Sequence, residues 1–298
     1  MSENIFAVDI GGSKLICGAL TDSGEILDTF RVDYKQGYTA DDLMGWIKEG
    51  FERLNKYGLC RCGAAIPGLC DPKSGTWLYS PFSGIGNIPI TKMLSEITNL
   101  PAYADNDVNV SALAEKKFGC CKDTSDFLWI TVSNGIGGGL YLGGNLYRGP
   151  FMTSGEIGHI TVEENTDRIC GCGKRGCLEA MASGASIASI YESRTGKKVS
   201  AKEIADFARM GDDEAKKVWA EAGFYIGKAV SSAVNLLGID TVVLGGGAAQ
   251  NFDLLYDSAM GAISEYTFSA AVAKVNLLHS PLGANAALLG CAALTKVN

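Results

Sequence analysis

The sequence predicts a mixed α/β protein of two domains. Three observations carry this. Short apolar runs of strand length alternate with helical segments along the 298 residues. A strand, a glycine turn and a second strand occur near residue 10 and again near residue 135, so one organisation is used twice. The length suffices for two modest hydrophobic cores. The boundaries expected are residues 1–117 with 284–298 for a smaller domain, and residues 118–283 for a larger one.

Residues 5–10 are an apolar run containing Asp9, followed by Gly11, Gly12, Ser13 and Lys14 and a second apolar run at 15–20. In this hairpin Gly11 and Gly12 let the backbone approach a bulky anion, and Ser13 and Lys14 can donate to phosphate oxygens. Asp9 can hold a magnesium ion through water. An ordinary two-glycine hairpin turn is the competing explanation. Residues 40–57 form an amphipathic helix with Leu43, Trp46, Ile47, Phe51 and Leu54 on one face, closed by Gly58. A strand at 61–66 is broken by Pro67 and Gly68; a turn at 71–76, a loop at 80–87 and a helix at 91–98 follow. The strand at 102–104 runs into Asp105, Asn106 and Asp107, and a helix covers 108–117. Asp107 is the candidate catalytic base, because strand end and helix start form the usual crevice of an open α/β sheet. Helix capping is the alternative for one of these polar residues.

The strand at 127–132 runs into Ser133, Asn134, Gly135, Ile136, Gly137, Gly138 and Gly139, and a second strand follows. Two such hairpins facing one another would grip a triphosphate from both sides. No Walker-type phosphate loop occurs, and a strand rather than a helix follows each glycine turn, which disfavours a dinucleotide fold.

The densest chemistry lies at residues 154–184. His159, Cys170, Cys172 and Cys177 have the spacing His-x10-Cys-x-Cys-x4-Cys. Three thiolates and an imidazole are a complete tetrahedral set for structural zinc, with no open position for substrate. Buried free thiols or a disulfide pair are the alternative; compact spacing and a reducing compartment favour the metal. Glu156 and Glu179 flank the cluster, so a metal pinning the loop also fixes both carboxylates. The other cysteines, Cys17, Cys60, Cys62, Cys70, Cys120, Cys121 and Cys291, read as small core hydrophobes. Helices cover 201–209 and 213–237, the second with a core stripe from Val218 to Val234. A strand at 240–244 leads to Gly245, Gly246 and Gly247, against which an adenine or ribose can lie flat. A strand at 274–278, His279 as a structural or exposed residue, and a final apolar helix at 284–295 complete the chain.

The composition is that of an ordinary soluble protein, 47% hydrophobic and 20% charged. A net charge of −7 offers no basic footprint, so no nucleic-acid partner is expected. No apolar run reaches membrane-spanning length and no signal-type segment precedes the first strand, so no membrane partner and a cytoplasmic location are expected.

Taken together, DIGGSK at 9–14, TVSNGIGGG at 131–139, EIGH at 156–159, CGCGKRGCLE at 170–179 and VLGGG at 243–247 resemble the ROK family, which groups sugar kinases with sugar-responsive repressors. The resemblance spans essentially the whole chain, and the zinc segment is its most specific part. It implies the actin-like ATPase (ribonuclease H-like) fold, with two α/β domains, a cleft between them, ATP on the glycine turns and a sugar deeper in the cleft. It also implies a homodimer. Residue by residue, it makes Asp107 the general base and assigns Gly68, Asn106, Glu156, His159 and Glu179 to the sugar. Asp9, Gly11, Gly12, Ser13, Lys14, Ser133, Asn134, Gly135, Gly137, Gly138, Gly245, Gly246 and Gly247 fall to ATP and its magnesium. His159 would serve both zinc and sugar. The reaction implied is ATP-dependent phosphorylation of a hexose or N-acetylhexosamine at the 6-hydroxyl.

The alternatives are a non-catalytic sugar sensor and a ROK-type transcriptional regulator. Regulators of the family carry a helix-turn-helix ahead of the first phosphate hairpin, which here starts at Ile5, and this favours the kinase. Two departures stand out. Ser133-Asn134-Gly135 occupies the place of the family's usual Gly-Thr-Gly, and the loop from Pro81 to Ile85 lacks the Asn and Trp of glucose-type members. Glucose, N-acetylmannosamine, fructose and allose all remain open as substrates.

Overall fold

A computed structural model describes residues 3–35, 37–80 and 83–296; Pro81 and Phe82 of the departing loop lie outside the described residues. The chain forms two compact units. Unit one comprises Met1–Asp123, Arg148–Thr153 and Asn285–Asn298, and unit two comprises Thr124–Tyr147 and Ser154–Ala284.

Unit one begins with β1 (Asn4–Ile10), β2 (Lys14–Thr21) and β3 (Ile26–Asp33), an antiparallel meander. Helix α1 (Ala40–Leu54) follows, then β4 (Leu59–Ile66), the short β5 (Leu69–Asp71) and β6 (Thr76–Tyr79), α2 (Ile90–Thr98), β7 (Ala102–Asn106) and α3 (Asp107–Lys117). The sheet order is β3-β2-β1-β4-β7, with β4 parallel to both β1 and β7. Helix α1 starts where Thr39 and Asp42 form a reciprocal capping box, and it buries Leu43, Ile47 and Leu54. The helix expected over 40–57 ends as a 3-10 turn, Asn55–Tyr57, which stops at Gly58 in the left-handed region at φ 66°. β3 has no counterpart among the strands expected from the sequence. It is an edge strand whose residues are mostly half-buried or exposed, with Phe30 alone buried, so it carries little of the apolar alternation that marks a strand.

Unit two repeats the plan. β8 (Phe127–Val132), β9 (Ile136–Leu142) and β10 (Asn145–Tyr147) form the meander. The helices α4 (Leu178–Ala182), α5 (Gly184–Thr195), α6 (Ala201–Arg209) and α7 (Asp213–Leu237) precede β11 (Thr241–Gly245), and α8 (Phe252–Tyr266) and α9 (Ser269–Val272) precede β12 (Asn276–His279). The sheet order is β10-β9-β8-β11-β12, with β11 parallel to β8 and β12. On α7 the expected stripe Val218, Ala222, Ile226, Ala229, Val230 and Val234 is buried, while Tyr225 is half-buried. Gly223 and Gly227 bring α7 against α8 so closely that a side chain at either would strike the backbone of Leu255 or Ala259. Helices α4 and α8 lacked a readable start, because neither Cys177 nor Asn251 caps its helix through a side-chain hydrogen bond.

The chain returns to unit one with α10 (Ala286–Leu294), a buried apolar helix whose Cys291 lies under the sheet, its thiol 3.5 Å from the Val8 carbonyl. The core reading of the cysteines holds for Cys17, Cys62, Cys70, Cys121 and Cys291, which are buried. It does not hold for Cys120, which is exposed where the chain turns after α3, and Cys60 is half-buried. Among the described residues no helix is long and apolar enough to cross a membrane.

Candidate active site and metal centre

Strand register sets out the first group of candidates. Asp9 pairs with Ala65 and Ala65 with Asp105 across β1, β4 and β7. The turn at 11–14, Pro67-Gly68 and Asn106-Asp107 therefore follow one another along a single edge of the unit-one sheet, at the carboxyl ends of its parallel strands.

The first glycine turn is closed by Gly11 N–H donating to the Lys14 carbonyl at 2.9 Å. Tyr34, the residue after β3, braces it. Its N–H donates to the Ser13 carbonyl at 2.9 Å. Its hydroxyl lies 2.7 Å from the Gly11 carbonyl and 3.0 Å from that of Lys14. The Tyr34 ring stacks on Trp46 at 5.1 Å and 8°. Sequence reasoning missed Tyr34, since a tyrosine after an edge strand carries no motif. Asp9 stands beside this turn. Desolvation pushes its carboxyl up to about 6, and the Lys14 ammonium works against that rise.

At the end of β7 the Asn106 side-chain oxygen caps α3, accepting from Val108 N–H at 3.0 Å and Asn109 N–H at 3.2 Å. Its amide nitrogen donates to the Gly68 carbonyl at 2.8 Å and to Asp107 Oδ1 at 3.0 Å. Asn106 is thus the capping residue, and Asp107 is the first residue of the helix, its Oδ1 also accepting from Val108 N–H at 3.0 Å. Gly68 sits at φ 83°, a left-handed conformation suited to glycine.

In unit two the second turn is closed by Ser133 N–H to the Gly135 carbonyl at 2.9 Å and tied to the start of α5 by Gly184 N–H to the Ser133 carbonyl at 2.7 Å. Glu179, in the first turn of α4, accepts from Ile136 N–H at 3.0 Å through Oε2. A side chain at Gly135 would collide with that carboxylate. The backbones of Gly138 and Gly155 lie directly against each other, which seats the loop carrying Glu156 on β9. Thr131 pairs with Gly245, so the turn at 133–135 and Gly246-Gly247 leave the same edge of this sheet. Gly245 covers the Trp129 ring with no room for a side chain. Asn134 follows Ser133 in the turn, and Gly137 lies in β9.

The ligand atoms of His159, Cys170, Cys172 and Cys177 all lie within 4.8 Å of one another, a set able to hold a metal ion. His159 Nδ1 is 3.6 Å from Cys170 Sγ, and the Cys172 and Cys177 sulfurs are 3.7 Å apart. No two of the three cysteines are joined as a disulfide. His159 Nε2 faces the other way, 3.8 Å from Glu156 Oε2. Glu179 Oε1 is 3.5 Å from Cys170 Sγ. Burial pushes the Cys170 thiol up to about 12 and raises Cys177, whereas Cys172 is held down first by the Lys174 backbone N–H. A bound cation would offset the burial penalty on the thiolates. Glu156 keeps 48% of its side chain open, yet desolvation still raises its pKa; Glu179 adds to the rise and His159 opposes it.

Comparison with known proteins follows this geometry. The ROK family profile matches residues 5–298. A xylose repressor from Bacillus spizizenii is 30% identical over 258 residues, but this chain spans only 66% of its length. A Thermotoga maritima glucokinase is 29% identical, with 98% of this chain and 97% of that protein covered. A Shigella flexneri N-acetylmannosamine kinase is 30% identical, with 98% of both covered. Among solved structures, a ROK transcriptional regulator homologous to the Escherichia coli MLC protein superposes with a TM-score of 0.90 at 26% identity, covering 99% of this chain and 78% of that one. A Streptomyces griseus ROK glucokinase in complex with glucose and AMPPNP gives a TM-score of 0.85 at 27% identity, covering 97% and 98%. The chain belongs to the ROK family and has the actin-like ATPase fold of that family's sugar kinases.

Proposed function

We propose that this protein is an ATP-dependent kinase that phosphorylates a hexose or N-acetylhexosamine at its 6-hydroxyl. The observation that carries the reading is Asp107, a carboxylate at the carboxyl end of a parallel strand, fixed by Asn106 Nδ2 and Val108 N–H. Kinase relatives matched over nearly their whole length support it.

In this reading Asp107 accepts the proton of the sugar hydroxyl. The hydroxyl oxygen forms its bond to the γ-phosphorus while the bond from that phosphorus to the ADP oxygen breaks. General-base assistance of this kind is worth about 10²–10⁴-fold. Most of the remaining barrier is met by positioning, as in phosphoryl transfer generally. Asn106, tied to the Gly68 carbonyl, holds the base, and Gly68, Asn106, Glu156, His159 and Glu179 are read as the residues that engage sugar hydroxyls. The turn at 11–14, the turn at 133–135 with Gly137 and Gly138 of β9 after it, and Gly245 to Gly247 are the stretches read as carrying the nucleotide; the N–H groups of Gly11, Ser133 and Ile136 already have partners and are not among the donors. Asp9 suits a hydrated magnesium ion, which neutralises phosphate charge when bound.

The Cys/His loop is read as a site for structural zinc. Zinc–sulfur and zinc–nitrogen bonds of about 2.3 and 2.0 Å in a tetrahedron require sulfurs about 3.8 Å apart and a sulfur–nitrogen separation of about 3.5 Å. The separations of 3.7 and 3.6 Å support that ion. With Nδ1 given to the metal, His159 is left to offer Nε2 beside Glu156.

A second reading, a sugar-responsive regulator without catalysis, is favoured by the TM-score of 0.90 to the ROK regulator. A coupled ADP-release assay with ATP and magnesium across hexoses and N-acetylhexosamines separates the two. Sugar-dependent release is the result expected. Calorimetric sugar binding with no release would transfer the case to the regulator.

A further inference from the structure

The segment Arg148–Thr153 belongs to unit one, although its chain neighbours on both sides belong to unit two. One side chain roots it there. Arg148 directs Nε and one terminal nitrogen at Asp105 Oδ2, each at 2.7 Å. The Asp105 side chain is fully buried, and that of Arg148 is 22% exposed. The other Asp105 oxygen accepts from Asn106 N–H at 2.8 Å and from Asn109 Nδ2 at 3.2 Å. Four donors therefore meet one buried carboxylate, two from the arginine and two from the strand end and helix that carry the base.

The charge balance at this point rests on Arg148. Burial raises the Asp105 carboxyl, and the guanidinium is the first force opposing that rise. The Cys70 thiol of β5 lies within electrostatic range of this carboxylate and the arginine; burial pushes it up to about 12, so it stays neutral. A buried carboxylate stripped of its cation either keeps an uncompensated charge or takes a proton. In both cases its bonds to Asn106 and Asn109 are remade. Asn106 is the residue that caps α3 and donates to Asp107 Oδ1. An unbroken series of contacts thus runs from Arg148 through Asp105 and Asn106 to Asp107.

We infer that Arg148 is a positioning residue for the base: through the buried Asp105 it holds Asn106, and with it Asp107, in the geometry that proton transfer requires. This inference rests on the kinase reading. Displacement of a catalytic group by about 1 Å costs about 10²-fold, so the loss falls mainly on turnover; Asn106 also lines the sugar, so a smaller loss of sugar affinity accompanies it, and ATP affinity stays in place.

The test uses the full chain and steady-state kinetics with each substrate varied. Arg148→Met is expected to lower kcat by about 10- to 100-fold, with the KM for ATP within about threefold of wild type and the KM for sugar rising by less than kcat falls. Arg148→Lys, which keeps the charge but loses the fork, is expected to recover part of that loss. The double variant Asp105→Asn/Arg148→Met, which leaves no unpaired charge and keeps an acceptor for Asn106 N–H, is expected to recover more. Wild-type kcat in Arg148→Met would overturn the inference, as would KM values that rise in step with the fall in kcat. A double variant no better than the single one would do so as well. If Arg148→Met does not fold, Arg148→Lys decides: full kcat there overturns the inference, and reduced kcat with an unchanged KM for ATP supports it. A wild-type chain that forms no ADP with any sugar overturns the kinase reading and this inference with it; an active wild type with indifferent Arg148 variants overturns this inference alone.

Discussion

His159 turns its two ring nitrogens to two neighbours, Nδ1 towards the sulfur cluster and Nε2 towards Glu156. A ring fixed at one nitrogen presents the other in a single tautomer and direction, which a sugar site needs. Tyr34 does comparable work for the first glycine turn, through two backbone carbonyls. Tyr34→Phe removes that brace at a cost of about 1 kcal/mol. The expected outcome is a KM for ATP raised about fivefold with the KM for sugar unchanged, read from steady-state kinetics. Asp9 carries a different cost. Its carboxyl is ordinary when unfolded, near 3.8, and raised to about 6 in the fold. The native state therefore holds a proton that the unfolded chain releases, and stability falls as pH rises from about 4 through 6. Asp9→Asn escapes this loss. Denaturant melts should find the variant more stable than wild type by about 1–3 kcal/mol at pH 7.5, with the gap closing towards pH 4. A gap that does not depend on pH would contradict the burial of that charge. Of these residues, Asp9, Asp107 and His159 were legible because they sit inside motifs. Tyr34 and Arg148 were not, because they act on partners 20 or more positions away in sequence, reached only through the fold.

The Cys/His loop is held by three features: the 3-10 turn that carries His159, the short helix that begins right after Cys177, and the isolated bridge between Thr161 and Cys177. Its fourfold ligand set was readable from spacing alone. If the loop is closed by zinc, metal binding is part of the folding free energy of unit two. Chelation of the wild-type protein and the substitution Cys172→Ala should then lower the melting temperature to the same value and weaken sugar binding together. A melting curve indifferent to chelator would contradict a structural metal. Helix α3 teaches a related lesson. Its start was legible as a run of three polar residues, but only the hydrogen bonds assign capping to Asn106 and leave Asp107 in the helix. The strand β3 and the helix α8 escaped notice for physical reasons: the first is an edge strand with one buried residue, the second a helix without a side-chain cap.

Across the whole molecule, each unit pairs a three-stranded meander with two parallel strands, and each sheet sends its glycine turn out from the first hairpin of that meander. This repetition was visible as two strand–turn–strand segments, and it is the basis on which the two-part α/β architecture could be read. Sugar identity was not legible, since it depends on pocket shape, and Pro81 and Phe82 of the departing loop lie outside the described residues. Family membership alone leaves kinase and regulator side by side, because relatives of both kinds match at similar identity. The claim that separates them is that Asp107 draws the proton from a sugar hydroxyl during phosphoryl transfer. Phosphorus NMR of ATP, magnesium and a bound hexose or N-acetylhexosamine, run with wild type and with Asp107→Asn, tests it directly. The account predicts a sugar phosphomonoester signal growing with wild type and slowed about 10²-fold or more in the variant, while the variant still binds the sugar. Equal rates of ester formation in the two proteins, or only inorganic phosphate from the wild type, would contradict it.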